Sequence, residues 1–396
     1  MSIRWICVEG LISAALVASV ASAASFQMDP RQMAVDLEKQ GKTSEAEAAW
    51  TELANNSPKD PEPWAHLGLL KARQEHYADA INYYRKAFAL NPAMPGLRLN
   101  MGLALFKNGD YKEAIEDFDS LLKTEPDDQR LIVLMGMSHY GLGEYGTAAP
   151  YLQRASQQDA SNLTLMLTLA HSCLLSKQYP CVLETFHRME ALNAESAEAD
   201  MLVGEALSEM NDTDGAIREF RAAEAANPKE PNVHFGLGYL LWTVRQYPEA
   251  APEFEYEVKN DPRHSKAMLY LADSLIQMAK FDEAKPILKQ VILMDHTSSM
   301  AHLDLGIVYS EGNDNEKAVA ELQEAAKLAP SDVNAHFRLG RLYRSMGKAP
   351  EAKVEFDLAR SLNKKENDSL LKVMSGIPES SKGSKANQAG EKRRPE

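Results

Sequence analysis

Residues 61–94 read PEPWAHLGLLKARQEHYADAINYYRKAFALNPAM, and this stretch decides the architecture of the 396-residue chain. The same skeleton returns every 34 residues, without insertion or deletion, from residue 27 to residue 366. It predicts ten units, which begin at residues 27, 61, 95, 129, 163, 197, 231, 265, 299 and 333. A fixed period of this length is typical of proteins whose repeated units stack on one another.

Four positions of the 34-residue unit predict two packed helices. Position 8 is Gly or Ala in all ten units and position 20 is Ala in nine, so two antiparallel helices can approach closely. Position 24 is always large and fills the space beside them. Position 15 tolerates the left-handed conformation that ends a helix wherever it is Gly or Asn, as in Gly41, Gly109, Gly143, Asn211, Asn313 and Gly347. Each unit is therefore predicted to be helix A, a tight turn and helix B.

This pattern resembles the tetratricopeptide repeat (TPR) family over residues 27–366. The residues that carry the resemblance in the best single unit are Trp64, Leu67, Gly68, Ala80, Tyr84, Ala87 and Pro92. The resemblance implies an all-α, right-handed superhelical α-solenoid of ten helix–turn–helix units. It also implies a concave face, lined by the A helices, that binds peptides or proteins.

The N-terminus has the pattern of an export signal, predicted over residues 1–23 with a spacer at 24–26. Arg4 precedes a ten-residue apolar stretch at 11–20, and Ala21-Ser22-Ala23 has the small residues of a cleavage site. Glu9 fits the pattern poorly, and an uncleaved membrane anchor is the alternative. We expect export to a bacterial periplasm, with an extracellular location as the alternative.

The C-terminus is expected to close the array. Residues 367–375 are predicted to form a short capping helix that begins at Asp368 and ends before Gly376 and Pro378. Residues 376–396 are rich in Ser, Gly, Lys and Glu, a composition that predicts a disordered tail.

Composition excludes several classes of function. The net charge of −14 argues against a nucleic-acid partner, which would need a basic surface. Outside the N-terminus no apolar run is long enough for a membrane span in the mature chain. The ten units and the two ends account for the whole length, and phosphate-loop, HExxH and GxSxG motifs are absent. We therefore expect no enzyme activity, no cofactor and no metal site.

Histidine and cysteine are the residues that need a separate interpretation. His234, His302 and His336 all fall at position 4 of their units, and this repetition indicates packing rather than catalysis. Cys173 and Cys181 flank the turn of the fifth unit. Two alternatives stay open for them, a disulfide in an oxidising compartment or two reduced thiols.

Positions 5, 9 and 12 of helix A form the stripe that lines the concave face in the resembling family. In this chain the stripe comprises Leu99, Leu103, Phe106, Val133, Met137, Tyr140, Leu167, His171, Leu174, Phe235, Tyr239, Trp242, Leu269 and Ile276. The sixth unit interrupts the stripe with Glu205 and Ser208, and with Glu198 at position 2 on the same side of the helix. The tenth unit is basic, with Arg338, Arg341 and Arg344 at positions 6, 9 and 12. An apolar strip with a polar rim is typical of a binding surface. The alternatives are that the stripe is buried between A helices and that the arginines form a solvated face.

These observations predict an exported scaffold that binds an apolar segment of a protein or peptide partner in the concave groove. The alternative is a structural subunit of an envelope assembly for secretion, pilus formation or polysaccharide export. The identity of the partner and the oligomeric state are not predicted.

Overall fold

The computed structural model describes residues 29–192 and 196–375, and their regular structure consists of twenty α-helices without strands. The export signal, the spacer and the tail predicted above lie outside this range. In chain order the helices are α1 (Pro30–Lys39), α2 (Thr43–Asn56), α3 (Pro61–Arg73), α4 (Tyr77–Leu90), α5 (Leu97–Asn108), α6 (Tyr111–Leu122), α7 (Gln129–Gly141), α8 (Tyr145–Gln158), α9 (Leu163–Leu175), α10 (Tyr179–Glu190), α11 (Ala197–Glu209), α12 (Thr213–Ala226), α13 (Val233–Thr243), α14 (Tyr247–Asn260), α15 (Ser265–Gln277), α16 (Phe281–Met294), α17 (Ser299–Glu311), α18 (Asn315–Leu328), α19 (Val333–Ser345) and α20 (Ala349–Ser375). Odd-numbered helices are the A helices and even-numbered helices the B helices of ten pairs, which confirms the predicted α-solenoid.

The turn between helix A and helix B has one conformation throughout. Position 15 has a positive φ in all ten units, including the six in which Gly or Asn predicts it. The other four are Glu75, Lys177, Arg245 and Ala279, with φ of 61°, 60°, 63° and 59°. A left-handed residue with a Cβ costs roughly 1–2 kcal/mol, so the packing of the two helices, and not the local sequence, imposes this turn.

Close contact between positions 8 and 24 explains the small residue at position 8. A Cβ added to Gly238 would lie 2.9 Å from Cε1 of Phe254, and one added to Gly102 would lie 2.7 Å from Cε1 of Phe118. Both phenylalanines are completely buried. The ring at position 24 therefore packs directly on the backbone of helix A.

The chain divides between Tyr151 and Leu152 into two compact bodies. The core of the first body is built around Trp50, Tyr84 and Phe118. The largest core cluster of the second body extends from Ala216 to Ala352. In the second body the A helices of successive units, α9, α11, α13, α15, α17 and α19, contact one another. One face of this body is therefore lined by A helices.

The last helix differs from the prediction. Helix α20 continues without a break from Ala349 to Ser375, so residues 367–375 are its end, and the separate capping helix starting at Asp368 is wrong. Position 32 of the tenth unit is Lys364 where six other units have proline, and residues 361–372 contain neither Gly nor Pro. Because neither residue type interrupts the backbone hydrogen bonds, the helix continues to Ser375.

Among the helices of the described residues, none combines the length and the apolarity that crossing a membrane requires.

Candidate functional site

A cleft of about 520 Å³ opens on the A-helix face of the second body, across the fifth, sixth and seventh units. Its walls come mainly from helices α9, α11 and α13 and from the segments that follow α9 and precede α13, with one residue each from α10 and α12. The lining residues are Leu174, Leu175, Lys177, Tyr179, Met201, Glu205, Ser208, Glu209, Phe220, Asn232, Phe235, Gly236, Tyr239 and Leu240. This volume is within the range of sites that hold a few side chains of a ligand.

One wall of the cleft is apolar and partly open to solvent. Tyr239 is 40% exposed and Leu175 is 50% exposed, whereas Leu174 and Leu240 behind them are buried. The Tyr239 ring stacks on Phe235 with ring centres 6.3 Å apart. Rigid, half-exposed aromatic rings of this kind are the usual anchors of protein interfaces.

The acidic wall is helix α11, which contacts both α9 and α13 and places Glu205 and Glu209 one helical turn apart. Glu209 accepts a hydrogen bond from the Tyr179 hydroxyl, with oxygen atoms 3.3 Å apart. Desolvation raises the pKa of Glu205, His171 opposes this and Glu209 adds to it. A cation placed between the two carboxylates would relieve both the desolvation and their mutual repulsion.

Of the residues that the sequence predicted for the groove, Leu174, Phe235 and Tyr239 line this cleft. His171 lies beside it and pairs with Glu198, with 3.4 Å between Nε2 and Oε1. Trp242 is half-buried, since its Nε1 donates to Oδ2 of Asp273 at 2.6 Å and its ring meets Tyr270 edge-on at 5.0 Å. The stripe therefore contains both packing residues and accessible ones.

Other members of the stripe lie apart from the cleft. Leu167 and Leu269 are half-buried against core clusters, and Ile276 is buried. In the first body the six stripe residues are half-buried: Leu99, Leu103, Phe106, Val133, Met137 and Tyr140. Phe106 and Tyr140 each meet a tyrosine at the start of the following B helix edge-on, at 5.6 and 5.5 Å.

The three arginines of the tenth unit do not act as one group. Arg338 and Arg341 line a second cleft of about 340 Å³, together with Ser310, Glu311 and Asn313. Arg344 is exposed and lies over the Phe356 ring at 5.5 Å.

A buried carboxyl on the neighbouring unit was missed by the sequence analysis. Asp304 is only 4% exposed, and its Oδ2 has no hydrogen-bond partner. Burial raises its pKa well above the usual value, Asp273 adds to this and Arg338 opposes it.

The histidines at position 4 have partners that the sequence analysis also missed. His234, His302 and His336 are buried, and each places Nδ1 2.7 Å from a glutamate oxygen. The partners are Glu253, Glu321 and Glu355, all at position 23, so a recurring separation of 19 residues was the available signal. In the third unit the same two positions hold an ion pair between Arg98 and Asp117 at 3.0 Å.

The two cysteines of the fifth unit are joined by a disulfide, with Cα atoms 5.9 Å apart. Of the two alternatives that the sequence left open, the structure has the bridge. It connects α9 to α10 beside Leu174, and it thus fixes one side of the cleft.

Comparisons with known proteins support the fold. Models described as "Tetratricopeptide repeat" match residues 66–129, 201–265 and 241–304, and one described as "TPR repeat" matches 306–347. Together they cover slightly more than half of the sequence, and the chain belongs to the tetratricopeptide repeat family. Proteins of this family are typically scaffolds without enzymatic activity that bind other proteins.

Individual similar proteins match over part of their length. Anaphase-promoting complex subunit 3 of Schizosaccharomyces pombe is 24% identical over 195 residues, which are 49% of this chain and 29% of that protein. Tetratricopeptide repeat protein 8 of Caenorhabditis elegans is 23% identical over 181 residues, 45% of this chain and 36% of that protein. The chain thus spans about a third of the length of these relatives. Among solved structures, YrrB, titled a TPR protein with an unusual peptide-binding site, is 17% identical, with a TM-score of 0.40 over 48% of this chain and 97% of that one.

Proposed function

We propose that this protein is a scaffold that binds an extended segment of a partner protein in the cleft of the fifth to seventh units. The segment carries a large apolar side chain and, close to it, a lysine or arginine. The observation that carries this proposal is the pairing of one apolar, half-exposed wall with one acidic wall in a single cleft.

The apolar wall supplies the affinity. A side chain that covers Tyr239 and Leu175 removes apolar surface from water at about 25 cal/mol for each Å² buried. Because Phe235, Trp242 and Tyr270 hold Tyr239 in place, the ring loses little conformational entropy when the ligand binds.

The acidic wall supplies the selectivity. Glu205 and Glu209 repel an acidic segment and attract a basic one, and the net charge of −14 favours encounter with basic partners. Lys177 lies at the edge of the cleft and can pair with an acidic residue further along the ligand.

We further propose that binding takes place in a bacterial periplasm, after export directed by residues 1–23. The disulfide between Cys173 and Cys181 supports an oxidising compartment, because disulfides persist in such compartments and are rare in the cytosol.

A displayed library of random twelve-residue peptides, selected on the full chain, tests the proposal. Enriched peptides should combine Phe, Leu or Trp with a nearby Lys or Arg. Tyr239→Ala should weaken a selected peptide by about 10- to 30-fold, as expected for a half-exposed aromatic anchor. The double variant with Glu205→Gln and Glu209→Gln should also bind the selected peptide more weakly, and its loss of affinity should be smaller at high salt than at low salt.

Two substitutions outside the cleft serve as matched controls. Leu293→Ala removes an apolar side chain that is 87% exposed, and Glu283→Gln removes a surface carboxylate on the same helix, α16. Both should leave peptide affinity unchanged. Selected peptides without basic residues, or equal losses in cleft and control variants, would refute the proposal. Recovery of stoichiometric envelope subunits from cells, with no peptide selected, would favour the structural assembly instead.

A further inference from the structure

We propose that Glu224, His234 and Glu253 form a binding site for a divalent transition-metal ion of the Zn²⁺ type. The three residues belong to α12, α13 and α14, and none of them lines the cleft. One ligand atom from each side chain lies within 4.8 Å of the other two. Imidazole nitrogen and carboxylate oxygen are both ligands that zinc binds in proteins, and three of them leave a fourth position for water.

The hydrogen bonds of His234 fix which nitrogen faces the carboxylates. Nε2 lies 3.0 Å from the carbonyl oxygen of Pro228, and a carbonyl can only accept, so Nε2 carries a proton. Nδ1 then points at Oε2 of Glu253, 2.7 Å away, and at Oε1 of Glu224, 3.9 Å away. Two carboxylate oxygens face Nδ1 at this point, so either Nδ1 carries a proton or a metal ion lies between these atoms. Metal-binding histidines commonly use the second nitrogen in this way, as a donor to a carbonyl.

Two other units provide an internal comparison. In the ninth and tenth units the same histidine, glutamate and carbonyl contacts recur without a third ligand. The residue that corresponds to Glu224, at position 28 of the preceding unit, is Ile292 in one case and Ala326 in the other. The pair alone therefore meets the needs of packing in those units, and Glu224 adds a negative charge that packing does not require.

The surroundings favour a cation and leave it a route. Two carboxylates beside one imidazole nitrogen leave negative charge at this point, and a bound cation would offset it. The side chain of Glu224 is 33% exposed and that of Glu253 is 16% exposed, so an ion can enter from solvent. Tetrahedral zinc with bonds of about 2.0–2.2 Å places its ligand atoms roughly 3.3–3.6 Å apart, so Nδ1 and the Glu253 oxygen have to separate by roughly half an ångström or more, and the Glu224 oxygen has to move closer to Nδ1.

The experiment titrates the full-length, metal-free chain with Zn²⁺ at pH 7.5 against a chromogenic chelator, and follows the melting temperature alongside. We expect one tight equivalent per chain and a melting temperature that rises with Zn²⁺ and returns with EDTA. Glu224→Ile copies Ile292 of the eighth unit, which faces the His302 pair, so it should fold, and it should weaken zinc binding at least tenfold. His302→Asn alters the pair that lacks a third ligand, and it should bind zinc as the wild type does.

Two results would overturn the proposal. One is a wild-type chain that takes up no tight equivalent of Zn²⁺. The other is a Glu224→Ile variant with unchanged affinity and stoichiometry, which would place the zinc on other histidines. Circular dichroism of each variant without metal separates loss of the site from loss of the fold.

Discussion

The contact between Gly238 and Phe254 can be tested by adding a single methyl group. Gly238→Ala places a Cβ 2.9 Å from Cε1 and 3.0 Å from Cδ1 of a fully buried ring. Both distances are shorter than a normal carbon–carbon contact, so the ring or helix α13 has to move. Overpacking of this kind costs about 1–3 kcal/mol, which exceeds the gain of roughly 1 kcal/mol that Ala has over Gly within a helix.

A double substitution shows whether the ring is the cause. The eighth unit combines Ala272 with Leu288 at the same two positions. Gly238→Ala together with Phe254→Leu copies that pair, and Leu gives the methyl group more space. We expect Phe254→Leu alone to cost about 1–2 kcal/mol. The double variant should be more stable than the sum of the single effects by at least about 1 kcal/mol.

The assay has to report on the seventh unit, because repeat arrays need not unfold in one step. Hydrogen exchange of peptides from α13 and α14 measures local opening, and urea unfolding followed by circular dichroism measures the whole. Gly312→Ala is the matched control, since a Cβ there meets nothing closer than 3.4 Å. Strict additivity of the two substitutions, or equal protection in Gly238→Ala and wild type, would refute the packing argument.

Three further predictions concern other parts of the second body. Ala279→Gly removes an alanine in the left-handed conformation and should raise the free energy of unfolding by about 1 kcal/mol. Urea unfolding measures this change, and a decrease would contradict the argument from φ. Asp304→Asn should raise the melting temperature at pH 7. Because folding raises the pKa of Asp304, the contribution of this carboxyl to wild-type stability is fully present below about pH 4 and is lost as the pH rises through its folded-state pKa. The difference between Asp304→Asn and wild type should therefore shrink towards pH 4, and a gap independent of pH would be inconsistent with this. Replacing Cys173 and Cys181 with Ser should cost about 2–3 kcal/mol for so short a loop and abolish the effect of reductant on melting.

The framework could be predicted from the sequence because its determinants repeat. Ten copies of one register outweigh the ambiguity of any single unit, and they predicted the helix pairs and the close contact at position 8. The left-handed turn at Glu75 or Arg245 has no local signal, because neither residue favours a positive φ. Only the repeat register, applied to every unit, predicts it.

The cleft of the fifth to seventh units was predicted in part. Leu174, Phe235 and Tyr239 follow from the stripe at positions 5, 9 and 12, but Lys177, Tyr179 and Glu209 lie at or next to the turn between the two helices. Their place in the cleft depends on how three units pack together, and the residue pattern of a single helix does not predict that packing. The capping helix was wrong for a related reason, since a helix end was inferred from Asp368 without any residue that would stop the preceding helix.

The contact between positions 4 and 23 separates the shape of a unit from its chemistry. Its occupants are a stacked pair, Trp64 and Tyr83, in the second unit, Arg98 and Asp117 in the third, and His234 and Glu253 in the seventh. The same helix pair accepts an aromatic stack, a guanidinium–carboxylate pair or an imidazole–carboxylate pair. A protein engineer could therefore exchange two residues and move sensitivity to acid, salt or metal from one repeat to another, while the backbone keeps its form.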